Sequence, residues 1–116
     1  MREEQREMAR RELDKKLRYY RQAGREKYPT RQLLRKVRQA LGVPMAEVAR
    51  KAGMNRSVIF RLEESEARST ISLRSMTRIA NALDCEVVYA VIPRGGTTLE
   101  EMAARRKWGK FFGVGE

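Results

Sequence analysis

The sequence contains no histidine and a single cysteine, Cys85. These shortages exclude a disulfide scaffold, a histidine-based metal site and every nucleophile system that pairs Ser or Cys with His. A phosphate-binding loop is missing too, because the one glycine pair, Gly95-Gly96, is followed by Thr97 and by no P-loop lysine. The sequence therefore predicts no catalytic residue, no metal and no cofactor, and we do not expect an enzyme. Cys85 is interpreted as a small buried apolar residue.

Long apolar runs are also missing. The longest, from Val87 to Ile92, has six residues, whereas a membrane-spanning helix needs about 20. The first residues, Met1-Arg2-Glu3-Glu4-Gln5-Arg6, lack the apolar stretch of a secretory signal. We expect a cytoplasmic protein with no membrane partner.

Basic residues are abundant. The 116 residues include 26 Lys and Arg against 15 Asp and Glu, which gives a net charge of +11. Most of the excess lies in the first 40 residues. This imbalance points to a polyanionic partner, usually nucleic acid or an anionic membrane surface.

Residues 3–23 are predicted to form one amphipathic helix that ends at Gly24. Its apolar residues recur every three or four positions in one narrow stripe: Ala9, Leu13, Leu17 and Tyr20. Three interpretations stay open. The helix can pack on the core through its stripe, it can act as a basic arm that touches phosphates, or it can lie on a membrane.

Residues 45–64 carry the most informative pattern. A second helix, capped by Thr30 and closed by Gly42, precedes them. In a helix-turn-helix the crossing helices need a small residue where they touch, here Ala49, and the turn needs a residue that tolerates positive φ, here Gly53. Asn55 is a suitable N-cap for the second motif helix. Apolar residues at core spacing complete the pattern: Val48, Ala52, Met54, Ile59 and Leu62. A helical hairpin without DNA binding remains the alternative.

The segment from Arg31 to Glu63 resembles the Xre family of Cro- and phage-repressor-type helix-turn-helix proteins. The wider chain, roughly Leu13 to Arg106, looks like the proteins called mobile mystery protein A. That likeness is carried by Leu13-Asp14, Leu41-Gly42, Val48-Ala49, Ala82-Leu83-Asp84-Cys85-Glu86 and Leu99-Glu100-Glu101-Met102, among others. The resemblance implies a mainly α fold of the five-helix Xre type and an antitoxin-like partner of a Fic-domain toxin.

The resemblance also implies a recognition helix, here from about Arg56 to Glu64, that enters the major groove. Its outward side chains are predicted to read bases: Arg56, Ser57, Phe60 and Arg61. A second set is predicted to contact phosphates: Asn55, Arg50, Lys51, Arg68, Arg31 and Arg74. Many Xre proteins have a phosphate-binding Gln where this sequence has Met45, so that contact is expected to shift to Arg50 or Lys51, or to be weaker. For Arg56 and Arg61 the alternative is a solvated helix face.

The run Glu86-Val87-Val88-Tyr89-Ala90-Val91-Ile92 is predicted to be one β-strand. A lone strand leaves its backbone groups unpaired, so we expect pairing in a homodimer that reads a palindromic operator. The alternative is pairing with an extended piece near Gly95-Gly96. The predicted dimer residues are Val87, Val88, Tyr89, Val91 and Ile92.

The predicted organisation is a basic arm (1–27), a helix-turn-helix domain (28–84), a dimerisation segment (85–107) and an aromatic, glycine-rich tail (108–116). Thr98 and Glu101 fit a capping box, so a helix is expected from Leu99 to about Lys107. In the tail Trp108, Phe111 and Phe112 alternate with glycines and are not expected to form a regular helix. The tail could fold over the domain, bind a partner or be disordered.

We therefore expect a dimeric, sequence-specific regulator of double-stranded DNA, an antitoxin-like protein that represses its own operon. Two other functions stay open: an inhibitor that binds a toxin enzyme, and a general nucleic-acid binder driven by residues 1–40.

Overall fold

The computed structural model describes residues 1–24 and 31–111, with side chains up to Trp108. Within them the helices are α1 (Glu3–Lys16), α2 (Arg18–Ala23), α3 (Leu33–Ala40), α4 (Met45–Ala52), α5 (Arg56–Ala67), α6 (Leu73–Ala82) and α7 (Leu99–Phe111), with a 3-10 turn at Arg94–Gly96. The chain divides into two compact units. One, the central unit, comprises Pro29–Val88, and the other, the terminal unit, comprises Met1–Tyr28 with Tyr89–Glu116.

The central unit has a small apolar core to which all four of its described helices contribute. Val48 of α4, Ile59 of α5 and Ile79 of α6 are almost completely buried, and Leu34 of α3 lies beside them. The periodic apolar positions of the sequence supply these contacts, since residues three or four apart share one face of a helix. Ala49 is 5% exposed, so the crossing point of the motif carries the small residue that the sequence predicted.

All four helices of the central unit end with the same hydrogen-bond pattern. At α4, Met54 N–H donates to the Ala49 carbonyl (2.9 Å) and Gly53 N–H to the Arg50 carbonyl (3.3 Å). This is a Schellman motif, which requires a left-handed residue just after the helix. Those residues are Gly42, Gly53, Ser69 and Asp84, with φ of 69°, 67°, 60° and 57°. The two glycine stops were predicted correctly, and the Ser and Asp stops were not foreseen.

In the terminal unit, α1 packs against α7. The Asp14 carboxylate of α1 accepts hydrogen bonds from the backbone N–H groups of Leu99 (2.9 Å) and Glu100 (3.3 Å) at the start of α7. Arg10 Nε donates to Glu100 Oε1 at 2.5 Å. The predicted N-cap of α7 is confirmed, because the Thr98 hydroxyl accepts from Glu101 N–H at 3.1 Å.

The N-terminal segment differs from its prediction in two ways. The expected single helix is interrupted at Leu17, which separates α1 from α2. Helix α1 itself is electrically balanced, since Glu3–Lys16 contains five acidic and five basic side chains, several of them in ion pairs. Of the predicted apolar stripe, Ala9 and Leu17 are half-buried while Leu13 and Tyr20 are exposed. The excess positive charge of the first 40 residues therefore comes mainly from residues after α1.

The predicted β-strand is wrong for the described part of the chain. Residues 85–93 form neither helix nor strand, and a strand needs a neighbouring backbone with which to exchange hydrogen bonds. Of the predicted dimer residues, Val88, Tyr89 and Val91 are exposed, whereas Val87 and Ile92 are half-buried. Ile92 lies so close to Gly24 that a Cβ on that glycine would clash with the Ile92 side chain.

Three further expectations are corrected. The central unit has four described helices rather than five. Helix α7 continues through Trp108 to Phe111, because the tail glycine at 109 is tolerated inside a helix at a modest cost. Helix α3 begins at Leu33, and its N-cap is Gln32. The predicted cap, Thr30, lies outside the described residues, and so does the tail residue Phe112. In the described chain, no helix combines the length and apolarity needed to cross a membrane.

Candidate nucleic-acid interface

The turn between α4 and α5 fixes the direction of α5, the helix predicted to enter the major groove. Gly53 adopts the left-handed conformation that lets the chain reverse there. Arg78 of α6 donates from Nη2 to the Ala52 carbonyl at 2.9 Å, which satisfies one of the acceptors exposed at the end of α4. Three helices therefore hold this turn in place.

Asn55 occupies the N-cap position of α5, as predicted, with extended backbone angles. Its side chain makes no capping hydrogen bond and is exposed. The first N–H groups of α5 are thus left with the partial positive charge of a helix N-terminus, which favours a phosphate oxygen.

Recognition helix α5 presents two different faces. Ile59 is fully buried, and Val58 and Leu62 are half-buried. The four residues predicted to read bases are exposed together on this helix: Arg56, Ser57, Phe60 and Arg61. Phe60 keeps 49% of its surface exposed beside these polar groups.

The cations at this face are unpaired within the described residues. Arg56 and Arg61 make no ion pair or side-chain hydrogen bond there, and the same holds for Arg50 and Lys51 in the last turn of α4. Arg50 and Lys51 lie in the last turn of α4, directly before the turn that leads into α5. An unpaired guanidinium keeps all its donors available for an external acceptor.

The remaining predicted phosphate contacts are distributed around the unit. Arg68 is the C-cap of α5, about 18 Å of helix away from the Asn55 end. Arg74 lies in the first turn of α6, and Arg31 precedes the N-cap of α3. All three are exposed. Met45 is half-buried and packs against the core, so this position offers no polar group to a phosphate.

The C-terminal half of α5 carries acidic residues whose role in positioning this helix was missed from the sequence. Glu63 is 1% exposed and accepts two hydrogen bonds from Arg38 of α3, at 2.6 and 3.0 Å. Arg35 of α3 donates to Glu64 at 2.6 Å and to Glu63 at 3.4 Å. These charge-assisted contacts tie α5 to α3.

A third carboxylate, that of buried Glu66, accepts from the backbone N–H of Leu34 at 2.7 Å. It therefore satisfies a donor in the first turn of α3, where a negative charge is favoured. One signal in the sequence could have revealed this arrangement. The second half of α5 contains three acids, and in a helix that is expected to approach DNA such acids must face away from it. Arg35 and Arg38 lie three positions apart, on one face of α3, where they could pair with these acids.

Arg35 also shows the electrostatic effect of this pairing. Its hydrogen bond to the Glu64 carboxylate raises the pKa of the guanidinium above its usual value, with a smaller contribution from Glu63. The positive charges of Arg35 and Arg38 are thus neutralised inside the protein, while those of Arg56 and Arg61 are not. Arginines that look equivalent in the sequence therefore differ in the structure: some form internal ion pairs, and others are exposed and unpaired within the described residues.

Comparison with known protein families gives a match, which covers the helices described above. Residues 34–89 match the model of the helix-turn-helix family. This segment is similar to helix-turn-helix domains. It spans α3 to α6 and supports the expected relation to Xre-type regulators for this part of the chain. Domains of this family bind DNA and regulate transcription, and they are not an enzyme family. No curated protein and no solved structure matches the chain.

The helix-turn-helix domain contains no metal cluster in its described part, since no three His, Cys, Asp or Glu side chains are grouped there to hold an ion. Its chemistry at the exposed face of α5 is that of guanidinium, hydroxyl, amide and aromatic groups. Groups of these kinds can form hydrogen bonds and apolar contacts with phosphates and base edges.

Proposed function

We propose that this protein is a sequence-specific regulator that binds double-stranded DNA as a homodimer and represses its own operon. The observation that carries the proposal is the contrast along α5. Arg56 and Arg61 are exposed with no partner in the described chain, while Glu63 and Glu66 in the same helix are buried and paired. The N-terminal half of the helix thus exposes positive charge to solvent, while the carboxylates of its C-terminal half are used inside the protein.

In this proposal the first half of α5 lies in the major groove. Arg56 and Arg61 make bidentate hydrogen bonds to guanine O6 and N7, and Phe60 contacts a thymine methyl group. Ser57 hydrogen-bonds a base edge without strong preference. Asn55 and the N-terminus of α5, together with Arg50, Lys51, Arg68, Arg31 and Arg74, bind phosphates and set the register of the domain on the duplex.

The homodimer is supported by apolar exposure. Val88, Tyr89 and Val91 are 70%, 73% and 85% exposed, and a second copy would remove these side chains from water. A two-fold dimer places two recognition helices about 34 Å apart and requires a palindromic operator.

The test is fluorescence anisotropy with the protein's own upstream DNA and with a scrambled duplex, at about 50 and about 200 mM salt. We expect both affinities to fall with salt and the upstream DNA to stay at least about a hundredfold tighter at the higher salt. Equal binding of the two duplexes at both salts would instead show a general electrostatic binder.

The resemblance to antitoxin-like proteins adds a second part to the proposal, which it alone supports: the protein partners a Fic-domain toxin. Co-expression with a Fic-domain protein encoded beside it tests this part. Rescue of growth by the Arg56→Ala, Arg61→Ala double variant would show inhibition without DNA binding. Failure of the unaltered protein to rescue growth would contradict the antitoxin role.

A further inference from the structure

The terminal unit contains a groove that the DNA-binding role does not use. Two glycines with positive φ, Gly95 (72°) and Gly96 (73°), turn the chain sharply. The turn brings the segment before it alongside the second turn of α7. The resulting open groove has a volume of about 490 Å³ and is lined by Ile92, Pro93, Arg94, Thr97, Met102 and Arg105.

The floor of this groove is apolar and its rim is basic. Ile92, Pro93 and Met102 supply the apolar surface, and Met102 is 40% exposed. Arg94 has no hydrogen bond or ion pair within the described residues. The two guanidinium groups thus stand beside a surface that can hold an aliphatic side chain.

Arg105 is held in position without being neutralised. Its Nη2 donates to the Thr97 hydroxyl at 2.9 Å, and that hydroxyl donates to Glu101 Oε2 at 2.9 Å. Glu101 is the nearest acid on α7, but its carboxylate accepts from the hydroxyls of Thr97 and Thr98 and forms no ion pair with Arg105. The other N–H donors of Arg105 remain available for a carboxylate.

We propose that this groove binds an acidic peptide segment of a partner protein, with one apolar side chain on Ile92 and Met102 and one carboxylate between Arg94 and Arg105. The arginines provide the charge complementarity, and the apolar floor distinguishes such a segment from a phosphate backbone. Arginine suits this role because its planar donors match a carboxylate geometrically.

The probes are two capped peptides, acetyl-Leu-Glu-Leu-Glu-amide and its amide twin acetyl-Leu-Gln-Leu-Gln-amide. Each is titrated into the isotope-labelled full chain while backbone amide signals are followed by NMR. We expect the acidic peptide alone to shift the signals of residues 92–105 in a saturable way. Arg94→Gln should weaken this binding at least about tenfold. This variant leaves the Arg105–Thr97 contact intact, so its effect does not depend on refolding of the groove.

The matched control is Arg106→Gln. Arg106 is exposed on the same helix but does not line the groove, and its loss should leave the affinity within about twofold, as expected for an exposed charge. Equal shifts with both peptides, shifts confined to other residues, or an Arg94→Gln variant that binds normally would each overturn the proposal. So would competition by a short DNA duplex at the same signals, because the surface would then be part of the DNA interface.

Discussion

Arg38 of α3 and Glu63 of α5 form a buried, bidentate ion pair, with 2.6 Å from Nε to Oε2 and 3.0 Å from Nη2 to Oε1. The two residues are 8% and 1% exposed. Arg38 also donates to the Val43 carbonyl at 3.3 Å. The pair therefore joins the recognition helix to α3 and to the loop that follows it.

Removal of one member of this pair should destabilise the protein strongly. Arg38→Ala leaves the Glu63 carboxylate buried with only the longer Arg35 contact, and we expect the free energy of unfolding to fall by about 3–5 kcal/mol. Urea denaturation followed by circular dichroism measures it. Arg50→Ala, which removes an exposed and unpaired arginine, is the control and should change stability by less than about 0.5 kcal/mol. A loss below 1 kcal/mol for Arg38→Ala would contradict the structural role of the pair.

At the turn between α4 and α5, the need for glycine at position 53 should come from its left-handed backbone angles and not from a lack of space for a side chain. A Cβ at Gly53 would meet no atom within 4 Å, so Gly53→Ala should lose about 1–2 kcal/mol from the left-handed backbone alone. Gly53→Asn should lose less, because Asn tolerates this conformation. Thermal unfolding of both variants gives the comparison, and equal losses would show that the left-handed angle is not the cause.

In the terminal unit, Asp14→Ala should loosen the start of α7. Asp14 accepts from Leu99 and Glu100 N–H, and the loss of a capping carboxylate costs about 0.5–2 kcal/mol. Hydrogen exchange should therefore accelerate at these two amides. Glu12→Ala, an exposed acid on the same helix, should leave them unchanged. Unaltered exchange in Asp14→Ala would show that this cap does not stabilise α7.

The predicted base contacts and the predicted phosphate contacts should differ in how their loss changes the affinity for DNA of different sequence and the salt dependence of that affinity. Arg61→Ala should cost about 1–3 kcal/mol on the upstream DNA and much less on a scrambled duplex. Lys51→Ala should weaken both duplexes alike and reduce the salt slope by about 0.9. Anisotropy titrations over a salt series distinguish the two. If both variants lost affinity equally on both duplexes, α5 would not be reading bases.

Dimerisation should depend on Tyr89. Tyr89→Glu places a charge at an exposed apolar site and should shift the protein toward monomers in sedimentation equilibrium. Tyr19→Glu is the control, since Tyr19 is 71% exposed but lies on α2. A wild-type monomer at every concentration, or an unchanged dimer in Tyr89→Glu, would refute this interface.

The sequence predicted the helix-turn-helix well because its requirements are local. Ala49, Gly53 and Asn55 lie within seven consecutive positions. Ala49 is buried where the helices cross, Gly53 has the left-handed angles of the turn, and Asn55 is the N-cap residue of α5. Arg38 and Glu63 are 25 positions apart, and a charged residue in a sequence does not show what it will face. The run from Glu86 to Ile92 has strand-forming side chains, but strand formation also needs a neighbour that the described residues do not provide.

The alternation of buried and exposed positions along α5 makes this helix suitable for retargeting. Ile59, Glu63 and Glu66 are its buried residues, and none of them is among the side chains proposed to contact DNA. A library that varies positions 56, 57, 60 and 61 while keeping those three could therefore be screened for new operators on an unchanged scaffold.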